Sequence, residues 1–212
     1  LAGIDRIRSS TTGWSRLFIP GIRKDVNGIR TKSPCQFEGY RLYVVLDEGE
    51  RGKPVNGAGI KGALFDLDGV VVAQCLDFIA IKQEIFGSTE GFILERIQRL
   101  PGSDRARAEA ILARHETEAA IRCQPIDGIV PLLRQLDRSG MRLGLVTRNS
   151  RKSVDLIQAR LRLPFSAIVT REDAPPKPAP DPILLACRQL AVSAQEAVFV
   201  GDFEFDMLAG RR

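Results

Sequence analysis

Four short apolar runs constrain the fold of this chain more than any other feature: Ala63-Leu64-Phe65, Leu143-Gly144-Leu145-Val146, Ala167-Ile168-Val169 and Ala197-Val198-Phe199-Val200. Each has the length of a buried strand, and each runs directly into polar residues or the loop that carries them. A segment of helical period precedes each of the last three, over 130–139, 151–161 and 181–190. Strands that alternate with helices specify a Rossmann-like α/β layer structure, with a parallel sheet, right-handed crossovers and helices on both faces. In such a sheet ligands bind beyond the carboxyl ends of the strands. The residues that follow the runs are therefore the candidate site: Asp66 and Asp68, Thr147-Arg148-Asn149, Lys177 in a proline-rich loop, and Asp202 and Asp206.

Local signals punctuate the core. Gly140 should stop the helix that carries Leu132, Leu133 and Leu136, and Ser150 should cap the helix over 151–161. Ser193-Ala194-Gln195-Glu196 has the form of a capping box. After the first run, residues 74–124 read as all helix. Leu76, Ile79, Ala80, Gln83 and Phe86 are expected to share one face, with Gly87 ending that helix. Ser88 is expected to cap a second helix through Phe92, Leu94, Ile97 and Leu100, and Pro101-Gly102 to break it. The Ala- and Arg-rich stretch from Ser103 to Cys123 predicts the longest helix of the chain. The chain thus divides into an extension (1–60), a core (61–73 and 125–212) and a small helical block (74–124) placed to cover the acidic strand end.

Composition excludes several classes of function. The net charge of +5 resides entirely in residues 1–32, where seven Lys or Arg face only Asp5 and Asp25, so the core has no basic face for nucleic acid. No apolar stretch approaches the length of a membrane span. Cys35, Cys75, Cys123 and Cys187 are scattered without a CxxC pair, which predicts reduced, partly buried thiols and a cytoplasmic setting rather than a thiolate metal site. His115 is the sole histidine, and its Arg/Glu/Ala-rich surroundings predict a solvated surface position. The basic, Ser/Thr-containing start reads either as a loosely packed extension or as part of an organellar targeting segment.

Several carboxylates, one lysine and a hydroxyl at one sheet edge make up a chemically specific set. Carboxylates brought together repel and need positive charge between them. A hard cation such as Mg²⁺ takes oxygen ligands and binds substrate phosphate beside one or two carboxylates. Thr147, backbone N–H groups and Lys177 suit a phosphoryl group. One aspartate can attack such a group and a second can move the proton.

In this order and spacing, Phe65-Asp66-Leu67-Asp68-Gly69, Val146-Thr147-Arg148-Asn149, Lys177 and Gly201-Asp202-Phe203-Glu204-Phe205-Asp206 resemble the four motifs of the haloacid dehalogenase-like superfamily, over about seventy per cent of the chain. The block at 74–124 resembles the small α-helical cap of its phosphoglycolate phosphatase-like and phosphoglucomutase-like branch. The resemblance implies Asp66 as nucleophile and Asp68 as general acid/base, with Thr147 and Lys177 on the phosphoryl group. It implies Mg²⁺ held by Asp66, by the Asp68 carbonyl and by Asp202, with Asp206 and Asn149 in support. The Asp at 68 disfavours dehalogenases and phosphonate-cleaving members. The implied activity is hydrolysis of a small phosphorylated metabolite through an aspartyl-phosphate; a phosphomutase, or a non-catalytic relative that keeps the fold, is the alternative. Arg148 departs from the usual Asn at its position, and either adds a phosphate contact or faces a neighbouring acid. Lys82, Glu84, Arg96 and Arg99 are the block's candidates for reading the substrate. The family sheet continues past the fourth motif with a further αβ unit, which is not seen before Arg212. Either residues 1–60 supply a substitute strand, or the sequence is a piece of a longer protein; within them Arg41–Leu46 is expected to be a strand, either an edge strand or an extra hairpin arm.

Overall fold

The computed structural model describes two strands, Cys35–Phe37 (β1) and Tyr40–Leu46 (β2), and residues 59–212 throughout. The reading of the first 32 residues as a targeting segment lies outside the described residues. Strands Gly62–Phe65 (β3), Arg142–Val146 (β4), Ala167–Val169 (β5) and Ala197–Gly201 (β6) are the four apolar runs, and they form one parallel sheet. The full order is β1-β2-β6-β3-β4-β5. The α/β expectation is borne out, with β3 central between β6 and β4.

Strand alternation divides the core into two layers, since successive side chains leave a strand on opposite faces. Ala63, Phe65, Leu143, Leu145, Val198 and Val200 point to one face, where Ile129 and Leu133 of α4 (Ile129–Arg138) and Val154 and Ile157 of α5 (Arg151–Leu161) cover them. Leu64, Val146, Ala167, Val169 and Phe199 point to the other, against Ile183, Ala186 and Cys187 of α6 (Asp181–Gln189) and Ala209 of α7 (Glu204–Arg211). The predicted caps form: Ser150 accepts from the Ser153 amide, and Ser193 and Glu196 close a capping box.

β2 runs antiparallel to β6, pairing Tyr43 with Gly201 and Leu46 with Val198. The segment read as an edge strand or hairpin arm is both: it pairs with β1 on one side and lies along β6 on the other. It pairs the β6 backbone groups that β3 leaves unpaired.

Between β3 and α4 lie three helices, Phe78–Phe86 (α1), Ile93–Gln98 (α2) and Gly102–Arg122 (α3). They share a small core of Ile81, Ile93, Ile97, Ala108, Leu112 and Ala119. Two expectations fail here. Helix α1 starts at Phe78, capped by Asp77, and buries Ile81, while Ile79, Ala80 and Gln83 are exposed. The large apolar residues of the helix, Phe78, Ile79, Ile81, Ile85 and Phe86, span about half its circumference on a face that excludes Ala80 and Gln83, and packing on α3 buries the part centred on Ile81. Ser88 caps no helix: α2 begins after Phe92, and the Ser88 hydroxyl instead accepts from Arg96 Nη1 at 3.0 Å.

Candidate active site

The sheet register brings the polar residues together. Phe65 lies level with Leu145 on one side and Val200 on the other, so Asp66 leaves β3 where Thr147 and Asp202 leave β4 and β6. The Asp66 amide still bonds Val200 O at 2.9 Å, and the Thr147 amide bonds Val169 O at 3.0 Å, so both residues stand on the last rungs of the ladders. The chain then turns back over itself, with Val71 and Val72 amides on Leu67 O. Gly69 adopts φ of +76° in this turn, and a Cβ there would stand 2.0 Å from Asp202 Oδ2. Only glycine admits both the conformation and the close approach. Gly201 allows a close approach in the fourth segment, without an unusual backbone conformation, since a Cβ there would stand 2.3 Å from the Asp206 Cβ.

Lys177 is the hub. Its side chain, 2% exposed, reaches from the proline-rich loop to Asp66 Oδ1 at 2.7 Å, Asp206 Oδ1 at 2.6 Å and Val146 O at 3.0 Å. Those three acceptors use all the protons of an ammonium. Asp206, itself buried, accepts through its other oxygen from the Asp202 amide at 3.2 Å and the Phe203 amide at 3.0 Å. It thereby fixes both the lysine and the start of α7. Asn149 donates to Asp68 Oδ2 at 2.7 Å, and the Thr147 hydroxyl accepts from the Asn149 amide at 3.2 Å.

Charge in this cluster is unbalanced. Oxygens of Asp66, Asp202 and Asp206 lie within 4.8 Å of one another around a single ammonium. Burial pushes Asp66 well above the usual carboxylate range, and the charges of Asp206 and Asp68 add to it against the pull of Lys177. Burial likewise lifts Asp68 to about 6, opposed by the Asn149 hydrogen bond, and lifts Asp202 to about 6 with Asp206 adding its charge. Burial works against the Lys177 charge, but Asp66 and Asp206 outweigh it and hold the lysine above its ordinary value. A surplus of hard oxygen donors beside one cation, with the backbone bared at Gly69, is a chemical fit for a divalent cation.

Arg148 sits apart from this centre. Its guanidinium grips Glu95 of α2, Nη2 lying 2.7 and 3.0 Å from the two carboxylate oxygens, so of its two readings the neighbouring acid is the one the contacts show. Nη1 donates to the Lys177 carbonyl, and the guanidinium carbon stands 4.7 Å from the centre of the Phe205 ring. Two of the block's proposed substrate readers are also engaged locally. Glu84 binds Arg114 and His115, and Arg96 binds Ser88 and the Glu90 carbonyl while covering the Phe86 ring. His115 is thus partly covered and tied to Glu84 at 2.7 Å, rather than freely solvated.

Sequence reasoning missed Glu95, Glu116 and Arg171. Glu116, buried on α3, pairs with both Arg171 Nη atoms and accepts from the Ser150 amide at 3.3 Å. Its signal was legible: Glu116 falls on the apolar stripe of Ala108, Leu112, Ala119 and Ala120, where a carboxylate needs a partner. A surface hollow along α5, lined by Arg151, Asp155 and Leu156, holds none of the predicted site groups.

Comparison with known proteins matches this geometry to a family. The sequence model described as haloacid dehalogenase-like hydrolase matches residues 82–212. A haloacid dehalogenase-like hydrolase domain-containing protein of Arabidopsis thaliana is 30% identical over 165 residues, covering 72% of this chain and 67% of the relative. An N-acetylmuramic acid 6-phosphate phosphatase of Pseudomonas aeruginosa is 31% identical over 180 residues, covering 72% and 77%. The crystal structure of a hydrolase from Pseudomonas syringae superposes with a TM-score of 0.58 at 22% identity, over 71% of this chain and 80% of that one. The chain belongs to the haloacid dehalogenase-like hydrolase family.

Proposed function

We propose that the protein is a Mg²⁺-dependent phosphomonoester hydrolase acting on a small phosphorylated metabolite. The observation that carries the reading is the Asp66 carboxylate at the carboxyl end of the central strand, 2.7 Å from a buried lysine and grouped with Asp202 and Asp206. Kinship with phosphatases such as that of P. aeruginosa supports it.

Asp66, Asp202 and the Asp68 carbonyl would hold the cation, which supplies positive charge against the phosphoryl oxygens. The Thr147 hydroxyl orients the phosphoryl group, and Lys177, with its protons held by Asp66, Asp206 and Val146 O, opposes its charge from the protein side. An Asp66 oxygen attacks phosphorus while the bond to the leaving oxygen breaks, giving an aspartyl-phosphate and the free alcohol. Asp68, with burial holding its pKa near neutrality, donates the proton that the leaving oxygen needs. It then takes a proton from the water that attacks the aspartyl-phosphate, releasing inorganic phosphate and restoring both carboxyl groups. Asn149 holds Asp68 in place for both transfers.

Purified protein should release phosphate from an aryl phosphate when Mg²⁺ is supplied, and Asp66→Asn should lower turnover by at least about a thousandfold. Wild-type turnover in Asp66→Asn would refute the covalent mechanism. Oxygen from labelled water should enter the released phosphate; isomerised sugar phosphate without free phosphate would instead assign a mutase.

A further inference from the structure

One guanidinium joins three of the four motif segments to the helical block. Arg148 follows the phosphate-binding candidate Thr147, donates to the backbone carbonyl of Lys177, lies over the Phe205 ring, and grips Glu95 of α2 through both carboxylate oxygens. Its own carbonyl accepts from Arg171 Nη1 at 3.1 Å, and Arg171 is the partner of the buried Glu116 on α3. Phe92, at the start of α2, packs on the same Phe205 with ring centres 4.6 Å apart. Thr147 and Lys177 are almost wholly enclosed, at 3% and 2% exposure. Their placement is therefore a matter of how these neighbours hold the two loops.

We propose that Arg148 is a positioning residue that sets the Lys177 loop against the docked helix α2, with Glu95 as its anchor. The proposal rests on the reading of Thr147 and Lys177 as the phosphate site. Arg148 does not reach the phosphoryl group; it fixes the lysine backbone, and Glu95 fixes the guanidinium. A rigid planar fork is needed, because one guanidinium donates to a carbonyl and a carboxylate in different directions. A lysine ammonium at the same position keeps the charge but not that geometry. When α2 leaves the core, Arg148 loses its anchor and the Lys177 loop loses a restraint. When α2 docks, the lysine is set for the phosphoryl group, so the presence of the block is conveyed to the site without a contact to substrate.

The test is a double-mutant cycle over Glu95→Ala and Arg148→Ala, with Glu95→Gln and Arg148→Lys as milder variants. Two quantities are read on the full chain with Mg²⁺: affinity for inorganic phosphate by calorimetry, and kcat and KM on an aryl phosphate. Each single alanine variant should weaken phosphate binding and lower kcat about tenfold, and the double variant should lose little more than either, since both act through one contact. Arg148→Lys should fail to restore phosphate affinity. Glu95 is partly exposed, so its variants should fold and keep a melting temperature close to that of the wild type. A wild-type phosphate affinity and kcat in Glu95→Ala would overturn the proposal. So would a loss confined to Arg148→Ala, which would place the guanidinium on the phosphate itself. If the wild type itself neither binds phosphate nor turns over, the phosphate-site reading falls and takes this proposal with it; if it does both and only the variants behave normally, this proposal alone falls.

Discussion

Lys177 shows how single residues decide this site. The lysine is the sole cation in contact with Asp66 and Asp206 among the described residues. Replacing it by methionine leaves buried carboxylates unpaired, a change that costs about 3–5 kcal/mol. Lys177→Met should therefore unfold at markedly lower urea concentration, and acid or Mg²⁺ should recover part of the loss. The carboxylates of the intact site carry a related pH dependence. Asp68 and Asp202 titrate near 6 in the fold, against 3.8 when unperturbed. A carboxylate whose folded value is raised contributes its stability below the unfolded value and loses it as pH rises through the folded one. Metal-free protein should accordingly melt several degrees higher at pH 5 than at pH 7, and saturating Mg²⁺ should flatten or reverse that slope by favouring the charged carboxylates. The residue types at the strand ends were readable because such a cluster of acids around one lysine has little structural use. Arg148 was not settled by sequence, since it lies in a loop and its partner Glu95 lies 53 positions away on α2.

Secondary-structure elements were legible where one face is buried by a regular neighbour. The four core strands and the helices that cover them follow from alternation and period, because the sheet imposes both. Helix α1 was misread in phase: Phe78, Ile79, Ile81, Ile85 and Phe86 lie within about half of the helix circumference, and the reading through Leu76, Ala80 and Gln83 was drawn off that face by Leu76, which precedes the helix. Strand β2 was legible as a strand but not in its partner. Its pairing with β6 gives a sharp prediction, because adjacent residues of a strand send their N–H groups to opposite sides. Val44 and Val45 stand level with Val200 and Phe199, beyond the reach of β1. Of Val44→Pro and Val45→Pro, one removes a ladder hydrogen bond to β6 and should cost about 3 kcal/mol, while the other faces away from β6 and should cost much less. Equal and small effects in urea denaturation would mean that β2 does not pair with β6 in solution.

At the scale of the molecule, two ion pairs among the described residues join the helical block to the core, and their surroundings differ. Glu95 and Arg148 are partly exposed, with side-chain exposures of 34% and 21%, whereas Glu116 is at 2% and Arg171 at 17%. Breaking the partly exposed pair returns both charges to water at small cost, which leaves the packing of Phe92 on Phe203 and Phe205 as what α2 gives up when it separates from the core. Breaking the buried pair leaves the Glu116 carboxylate buried without its cation, with the Ser150 amide still donating to it, and that side of the block is held fast. The block should thus behave as a body anchored along α3 and free to lift at α2, which gives substrate a route to the enclosed Thr147 and Lys177. Arg171→Ala should lose about 3–5 kcal/mol, much of it the penalty of a stranded carboxylate. Adding Glu116→Gln to that variant removes the stranded charge and should regain part of the loss, a coupling well outside additivity. Glu95→Ala, by contrast, should change global stability by less than about 1 kcal/mol while raising hydrogen exchange in Ile93–Gln98. Comparable stability losses from Arg171→Ala and Glu95→Ala, with unchanged exchange in α2, would show that the block is fixed equally on both sides, and that substrate must enter without moving it.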